Sequence, residues 1–142
     1  MWTLHVTGGL GKLTDPALHS GDEYVRAWAV QLAVEDGEAS ATELAQFASM
    51  AAGDKSPLVR LYLASALQRL PVGQRLPILT ALTAHGEDAN DHNLPLMYWY
   101  AMEPVVGADA GNAIKLLRDC KIPLLRQYVT RRMTTESLAG TK

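Results

Sequence analysis

The chain has 142 residues, 48% of them hydrophobic, which suits one domain with a substantial core and is too apolar for a disordered segment. A net charge of -2 argues against a general nucleic-acid binder, which needs a basic footprint. The single cysteine, Cys120, excludes an internal disulfide, a cysteine zinc cluster and a Cys-x-x-Cys-His haem attachment, and no apolar run approaches membrane-spanning length.

The opening MWTLHVTGGLGKLTD has neither a basic n-region nor a long apolar h-region, so this stretch is not expected to act as a secretory leader. Trp2, Leu4 and Val6 are core-type residues with no helix-start signal before them, and the chain is expected to be a segment of a longer protein with Met1 added. Gly8, Gly9 and Gly11 follow no strand, so GGLG is expected to end a helix rather than cradle a nucleotide. DEYVRAWAVQL, residues 22–32, is helical. SATELAQFASMA, residues 40–51, places Leu44, Phe47, Ala48 and Ala51 at i, i+3, i+4 and i+7, an amphipathic helix that Ser40 or Thr42 can cap. KSPLVRLYLASAL, residues 55–67, has little polar surface, which predicts a helix covered on most sides, with Val59, Tyr62, Leu63 and Ala66 buried. GQRLPILTALTAH gathers Leu76, Leu79 and Leu82 on one side. NLPLMYWYAM starts a helix at Pro95 and is expected to stop before Pro104, which pushes Glu103 out of helical geometry. AGNAIKLLRD gathers Ala113, Leu116 and Leu117, and KIPLLRQYVTRRM gives the last helix. Residues 134–142, TTESLAGTK, have no apolar periodicity and are expected to fray. No segment alternates with period two, so no strand is predicted.

Three of these helices share the order aliphatic–Arg–x–aromatic: Val25-Arg26-x-Trp28, Val59-Arg60-x-Tyr62 and Leu125-Arg126-x-Tyr128. The arginines lie 34 and 66 positions apart, and the second gap is two units of 33. Leu96-Met97-x-Trp99 fills the missing place, with Met97 where an arginine would stand. Pro57, Pro95 and Pro123 mark the first turns, where proline is a helix-start signal. Repeated helix pairs of this length predict an all-α fold, a HEAT-like α-solenoid of about four antiparallel helical hairpins over residues 1–133, with 134–142 as a tail.

Candidate sites follow from the repeats and from one polar loop. The ladder of Arg26, Arg60 and Arg126 is expected to be structural, each arginine pairing with an acid of the neighbouring repeat or with a helix C-terminus; the competing reading is a row that binds phosphate or acidic partners. Trp28, Tyr62, Trp99 and Tyr128 are expected to fill the space between helix layers, against a stacking platform for bases or sugars. His85, Glu87, Asp88, Asp91 and His92 include metal-ligand types, yet their spacing matches no metal motif. Capping of the helix at Pro95 by Asp91 or Asn93 accounts for the same residues. Asp88, Asp91, His92 and Asn93 are therefore expected to form an ordered loop on the rim, a possible docking loop rather than a metal site. Met97 and Met102 are packing residues rather than haem ligands. Cys120, beside Lys121, is read as a half-buried structural thiol. No Ser-His-Asp order, paired-carboxylate motif, Gly-rich phosphate loop or His-Glu-x-x-His occurs, so no catalytic residue and no cofactor is assigned.

The succession of WTLHVTGGL, DEYVRAWAVQLAVED, SPLVRLYLASALQRLP, EDANDHNLPLMYWY and KIPLLRQYVTRRM resembles the HEAT segment of the large multidomain proteins of planctomycetes and verrucomicrobia. Those proteins join a sugar-dehydrogenase-like β-propeller, HEAT repeats and a c-type cytochrome domain. The resemblance spans nearly the whole chain. It implies an exported redox parent and no activity for this segment, which lacks the haem-attachment motif. The expected role is a non-catalytic scaffold or docking module whose partners are flanking domains of the parent or another protein, with no nucleic acid. The alternatives are a stand-alone protein-interaction domain and an enzyme of the HEAT-like DNA glycosylase type, against which the net charge speaks.

Overall fold

The computed structural model describes residues 14–140. The readings made above for Trp2, Leu4, Val6 and the GGLG segment lie outside the described residues. Within them the regular structure is entirely helical. Eight α-helices follow in order: α1 (Thr14–Leu18), α2 (Glu23–Ala33), α3 (Ala41–Gly53), α4 (Pro57–Leu67), α5 (Leu76–Thr83), α6 (Leu94–Ala108), α7 (Ala110–Asp119) and α8 (Pro123–Ala139). Short 3-10 turns precede α5 (Val72–Gln74) and α6 (Gly86–Asn90).

The starts obey local chemistry. Asp22 accepts the Tyr24 amide at the head of α2. Ser40 and Glu43 exchange hydrogen bonds as a capping box on α3, and Ser56 caps α4 just before Pro57. Each supplies a partner to amides that a first turn leaves without one. Proline also stands in the first turns of α5, α6 and α8, where its missing N–H costs nothing. After α2 the chain turns at Gly37, whose φ of 83° lies in the left-handed region that glycine enters without strain.

The helices pack as neighbouring pairs in two rows. In one row α2 touches α4, α4 touches α6 and α6 touches α8; in the other α3 touches α5 and α5 touches α7, while α1 lies against α2. The core fills the seam between the rows, with Phe47, Val59, Leu63, Leu79, Leu82 and Leu116 at most 1% exposed. Val59, Leu63 and Ala66 are buried as predicted, whereas Tyr62 is only half-buried.

Two boundaries differ from the sequence reading. First, α6 runs through Pro104 to Ala108 instead of stopping before it. A proline inside a helix costs about 3 kcal/mol by withdrawing a hydrogen bond from the carbonyl four residues back. That carbonyl belongs to exposed Tyr100, where water can replace the bond. Beyond the proline, Val105 and Val106 are buried, and burying each stabilises by roughly 1.5–3 kcal/mol, so continuing the helix wins. Second, α8 continues to Ala139 instead of fraying from Thr134. An Arg132–Glu136 pair one turn apart, at 3.0 Å, lies across the boundary that the lack of apolar periodicity had suggested. No helix among the described residues is long and apolar enough to cross a membrane.

Candidate docking face

The loops that lead from each helix of one row into its partner in the other line a single rim, and the arginines bind there. Arg26 presents its Nε–Nη2 edge to Asp54, with Nε to Oδ2 at 2.8 Å and Nη2 to Oδ1 at 3.0 Å, while Nη1 donates to the Ser20 carbonyl at 2.8 Å. Arg60 repeats this one pair further on. Its Nε and Nη2 bind Asp88 at 2.8 and 2.6 Å, and its Nη1 donates to the Asp54 carbonyl at 2.9 Å. In both cases the acid lies 28 residues ahead and the carbonyl six residues behind. Arg126 donates through Nη1 to the Cys120 carbonyl, again six behind, and to that of Leu117, at the C-terminus of α7. Asp54 thus joins three helices, α2, α3 and α4, and through them two successive pairs: its carboxylate holds Arg26 and the Ser56 amide, and its carbonyl holds Arg60. Burial alone would push the Asp54 carboxyl up, but the hydrogen bonds from Arg26 and the Ser56 amide take it below the ordinary carboxylate range.

The third helix pair breaks the series in a way the aromatic alignment hid. Counting three positions from the first-turn proline gives Arg60 from Pro57 and Arg126 from Pro123, but Tyr98 from Pro95. Tyr98, not Met97, occupies the arginine register. It is fully buried, and its hydroxyl donates to Asp88 Oδ2 at 2.7 Å. Burial, reinforced by Asp88, pushes its phenol far above the ordinary tyrosine range, so it is a permanent donor. Arg60, Asp88 and Tyr98 form a buried triad in which the bond to Asp88 raises the guanidinium pKa further. Cys120 stands where Asp54 stands, six residues before the register position. The third pair therefore has neither the arginine nor, in the next loop, its acid.

The residues of the polar loop before α6 are held in different ways. Asp88 is consumed by the triad. Asp91 Oδ1 accepts the amides of Asn93 and Leu94 at 2.8 and 2.9 Å, which holds its carboxyl below the ordinary range. Asn93 precedes α6, but its side chain makes no cap bond; it lines a cleft described below. His92 is exposed. His85 bridges Glu87, at 2.8 Å from Nδ1, and the Ala51 carbonyl at the end of α3, at 2.6 Å from Nε2. Among the described residues no three His, Cys, Asp or Glu side chains are placed to share a metal ion.

The aromatic ladder lies on the even-numbered row, where Tyr62 and Trp99 pack against the core from one side, as expected, and Trp28 opens to solvent. Trp28 is 45% exposed, and Tyr62, Trp99 and Tyr128 are half-buried. Trp28 meets Tyr62 with ring centroids 6.3 Å apart and an interplanar angle of 58°; Trp99 meets Tyr128 at 5.2 Å and 57°. These are tilted, edge-favouring contacts between successive helices. Between them a cleft of about 350 Å³ is walled by Tyr62, Met97, Tyr100 and Leu96, with Gln31, Ser65 and Asn93 as its polar groups. A second cleft lies beside Trp99 and Tyr128, next to Arg131 and Arg132. The first wall is apolar and aromatic with uncharged amides and a hydroxyl, a lining that suits an apolar side chain beside a peptide backbone.

Two residues missed in the sequence also shape this half. Arg75 is buried and donates only to carbonyls, those of Leu70 at 3.0 Å, Ala101 at 3.1 Å and Gln68 at 3.3 Å. It thereby satisfies α6 next to the bond that Pro104 withdraws. Asp109, the one residue between α6 and α7, caps α7 by accepting the Gly111 amide at 2.8 Å. Met102 is fully buried and Met97 half-buried, both in packing positions. Cys120 is buried rather than half-buried, and burial pushes its thiol pKa up. Comparison with known proteins gives no match to any family model, any curated protein or any solved structure.

Proposed function

We propose that this chain is a non-catalytic docking and spacer module of the HEAT type, an α-solenoid whose aromatic face receives a segment of another protein or of a flanking domain. The observation that carries the reading is the repeated arginine: the same side chain takes a carbonyl six residues behind it and an acid 28 residues ahead, joining successive helix pairs. Bidentate arginine–carboxylate pairs at this spacing hold neighbouring pairs in one geometry. A stack so joined presents a preordered face, which lowers the cost of binding. Exposed Trp28, Leu96 and Tyr100 supply the large aromatic and aliphatic contacts that interfaces use as anchors. The resemblance noted in the sequence supports a bacterial dehydrogenase–cytochrome c protein as the parent in which such a module would work.

The test is selection of a displayed peptide library on the intact chain. Enriched peptides are expected to bind the unmodified chain and to lose about tenfold or more in affinity to Tyr100→Ala, the scale of one hot-spot side chain. Tyr100 is 55% exposed, so its removal leaves the core untouched. Enriched peptides indifferent to both Tyr62→Ala and Tyr100→Ala would overturn the assignment of this face.

A further inference from the structure

We infer that the outer side of α8 is a second docking surface, a carboxylate-reading site for an acidic segment of a partner protein, centred on Arg126 and Arg131. The inference rests on the docking-module reading and adds a different surface and a defined partner chemistry.

The geometry starts from what the other arginines do. Arg26 and Arg60 each use Nη1 on the carbonyl six residues behind and offer the Nε–Nη2 edge to an aspartate of the next helix pair. Arg126 makes the first of these contacts, to Cys120 and Leu117, and is exposed. No carboxylate among the described residues meets its remaining edge. The guanidinium is therefore oriented by the same carbonyl register and left with the two parallel donors that fit a carboxylate. Because the fold fills that edge with an aspartate in both other instances, an acidic protein segment is favoured over a phosphate.

Two further observations point the same way. Arg126 shares a shallow cleft with Gln127, Thr130 and Arg131. Arg131 has no acid partner among the described residues, whereas Arg132 is committed to Glu103 and Glu136 at 2.9 and 3.0 Å. The polar character is local: Val30 and Ala64, one turn after Arg26 and Arg60, are fully buried, while Thr130 at the matching place is exposed. Charge is also asymmetric. Residues 110–140 hold six basic side chains and two acidic ones, although the whole chain carries 13 basic and 15 acidic. A positive end on a net negative molecule steers an acidic partner to that end.

The experiment titrates the intact chain into fluorescein-labelled hexa-aspartate and follows anisotropy, with tripolyphosphate as the competing anion. Saturable binding that weakens as salt rises is expected. Arg126→Gln should weaken it about tenfold, the size of one lost charge-assisted contact, and Arg131→Gln severalfold. Arg126→Lys should fall almost as far as Arg126→Gln, because lysine keeps the charge and loses the two-donor edge. Arg69→Gln, exposed and remote from α8, should leave binding unchanged. Arg131 is exposed and makes no side-chain bond that the fold requires, so its variant reports on binding even if Arg126→Gln loosens α7 from α8. The inference is overturned if hexa-aspartate does not bind, if Arg126→Lys or Arg131→Gln retains full affinity, or if tripolyphosphate binds while hexa-aspartate does not. Loss of binding in Tyr100→Ala but not in the arginine variants would place acidic peptides on the aromatic face and also overturn it. None of these outcomes alters the peptide-selection test, which uses Tyr62 and Tyr100.

Discussion

Replacing Asp88 by alanine removes the shared acceptor of a buried triad. Arg60 is 2% exposed and Tyr98 fully buried, so neither can turn to water. Arg60 would keep its bond to the Asp54 carbonyl but lose both charge-assisted bonds, and Tyr98 would lose the acceptor of its hydroxyl. Breaking a buried ion pair from one side costs about 3–5 kcal/mol, because the remaining charge stays desolvated. A chain of this size has roughly 5–15 kcal/mol in total, so Asp88→Ala should lose about a fifth or more of its stability and about 10–15 °C in Tm. Asp54→Ala should cost less, since its partner Arg26 is 18% exposed at the side chain and water can reach it. The assay is equilibrium urea denaturation followed by far-UV circular dichroism. Adding Arg60→Met to Asp88→Ala should recover part of the loss, because the stranded charge is then gone. A loss below about 1 kcal/mol for Asp88→Ala, or a double variant less stable than Asp88→Ala alone, would refute the view that this pair is dry and joins the helix pairs.

Other expectations follow from the same contacts. Asp91→Ala should destabilise by about 1 kcal/mol, the usual cost of losing a cap, whereas Asn93→Ala should change little because its side chain makes no cap bond; urea melts of the two variants compare them directly. The folded-state pKa values of Asp54 and Asp91 are depressed, so their contribution is fully present above the unfolded aspartate value of about 3.9. It should disappear as pH falls through the lower folded values. Denaturation measured from pH 6 to pH 2 should show that loss, with a shallower slope in Asp54→Asn; an identical slope would count against the hydrogen-bond assignment. The Cys120 thiol, buried and with its pKa raised by that burial, should react with a disulfide reagent at pH 7.5 far more slowly in the native chain than in urea.

Local chemistry made the helices legible. Serine, aspartate and proline at the starts and period-3.6 apolar stripes place most of them within a residue or two, since those signals act on neighbours in the chain. The arginine period was legible too, but its partners were not. Asp54 and Asp88 lie 28 residues from the arginines they bind, and an aspartate in a loop has the same sequence appearance whether it caps a helix or holds an arginine. The Tyr98 register was recoverable by counting from Pro95, whereas aligning on Trp99 shifted it by one. The exposure of Trp28 was not legible, because a place on one face of a helix does not say whether another layer covers it. Pro104 misled for a different reason: its backbone penalty is local, while the burial of Val105 and Val106 that outweighs it depends on the rest of the fold.

Native-state hydrogen exchange on the intact chain tests the ion-paired stack most directly. If the Arg26–Asp54 and Arg60–Asp88 pairs make the helix pairs one cooperative body, the slowest amides of α2, α4 and α6 should share one opening free energy. In Asp88→Ala those amides should separate into two groups, with α2 and α4 in one and α6 in the other, as nearest-neighbour coupling in a repeat stack requires. Different opening free energies for α4 and α6 in the unmodified chain, or a uniform loss across all helices in Asp88→Ala, would contradict the account.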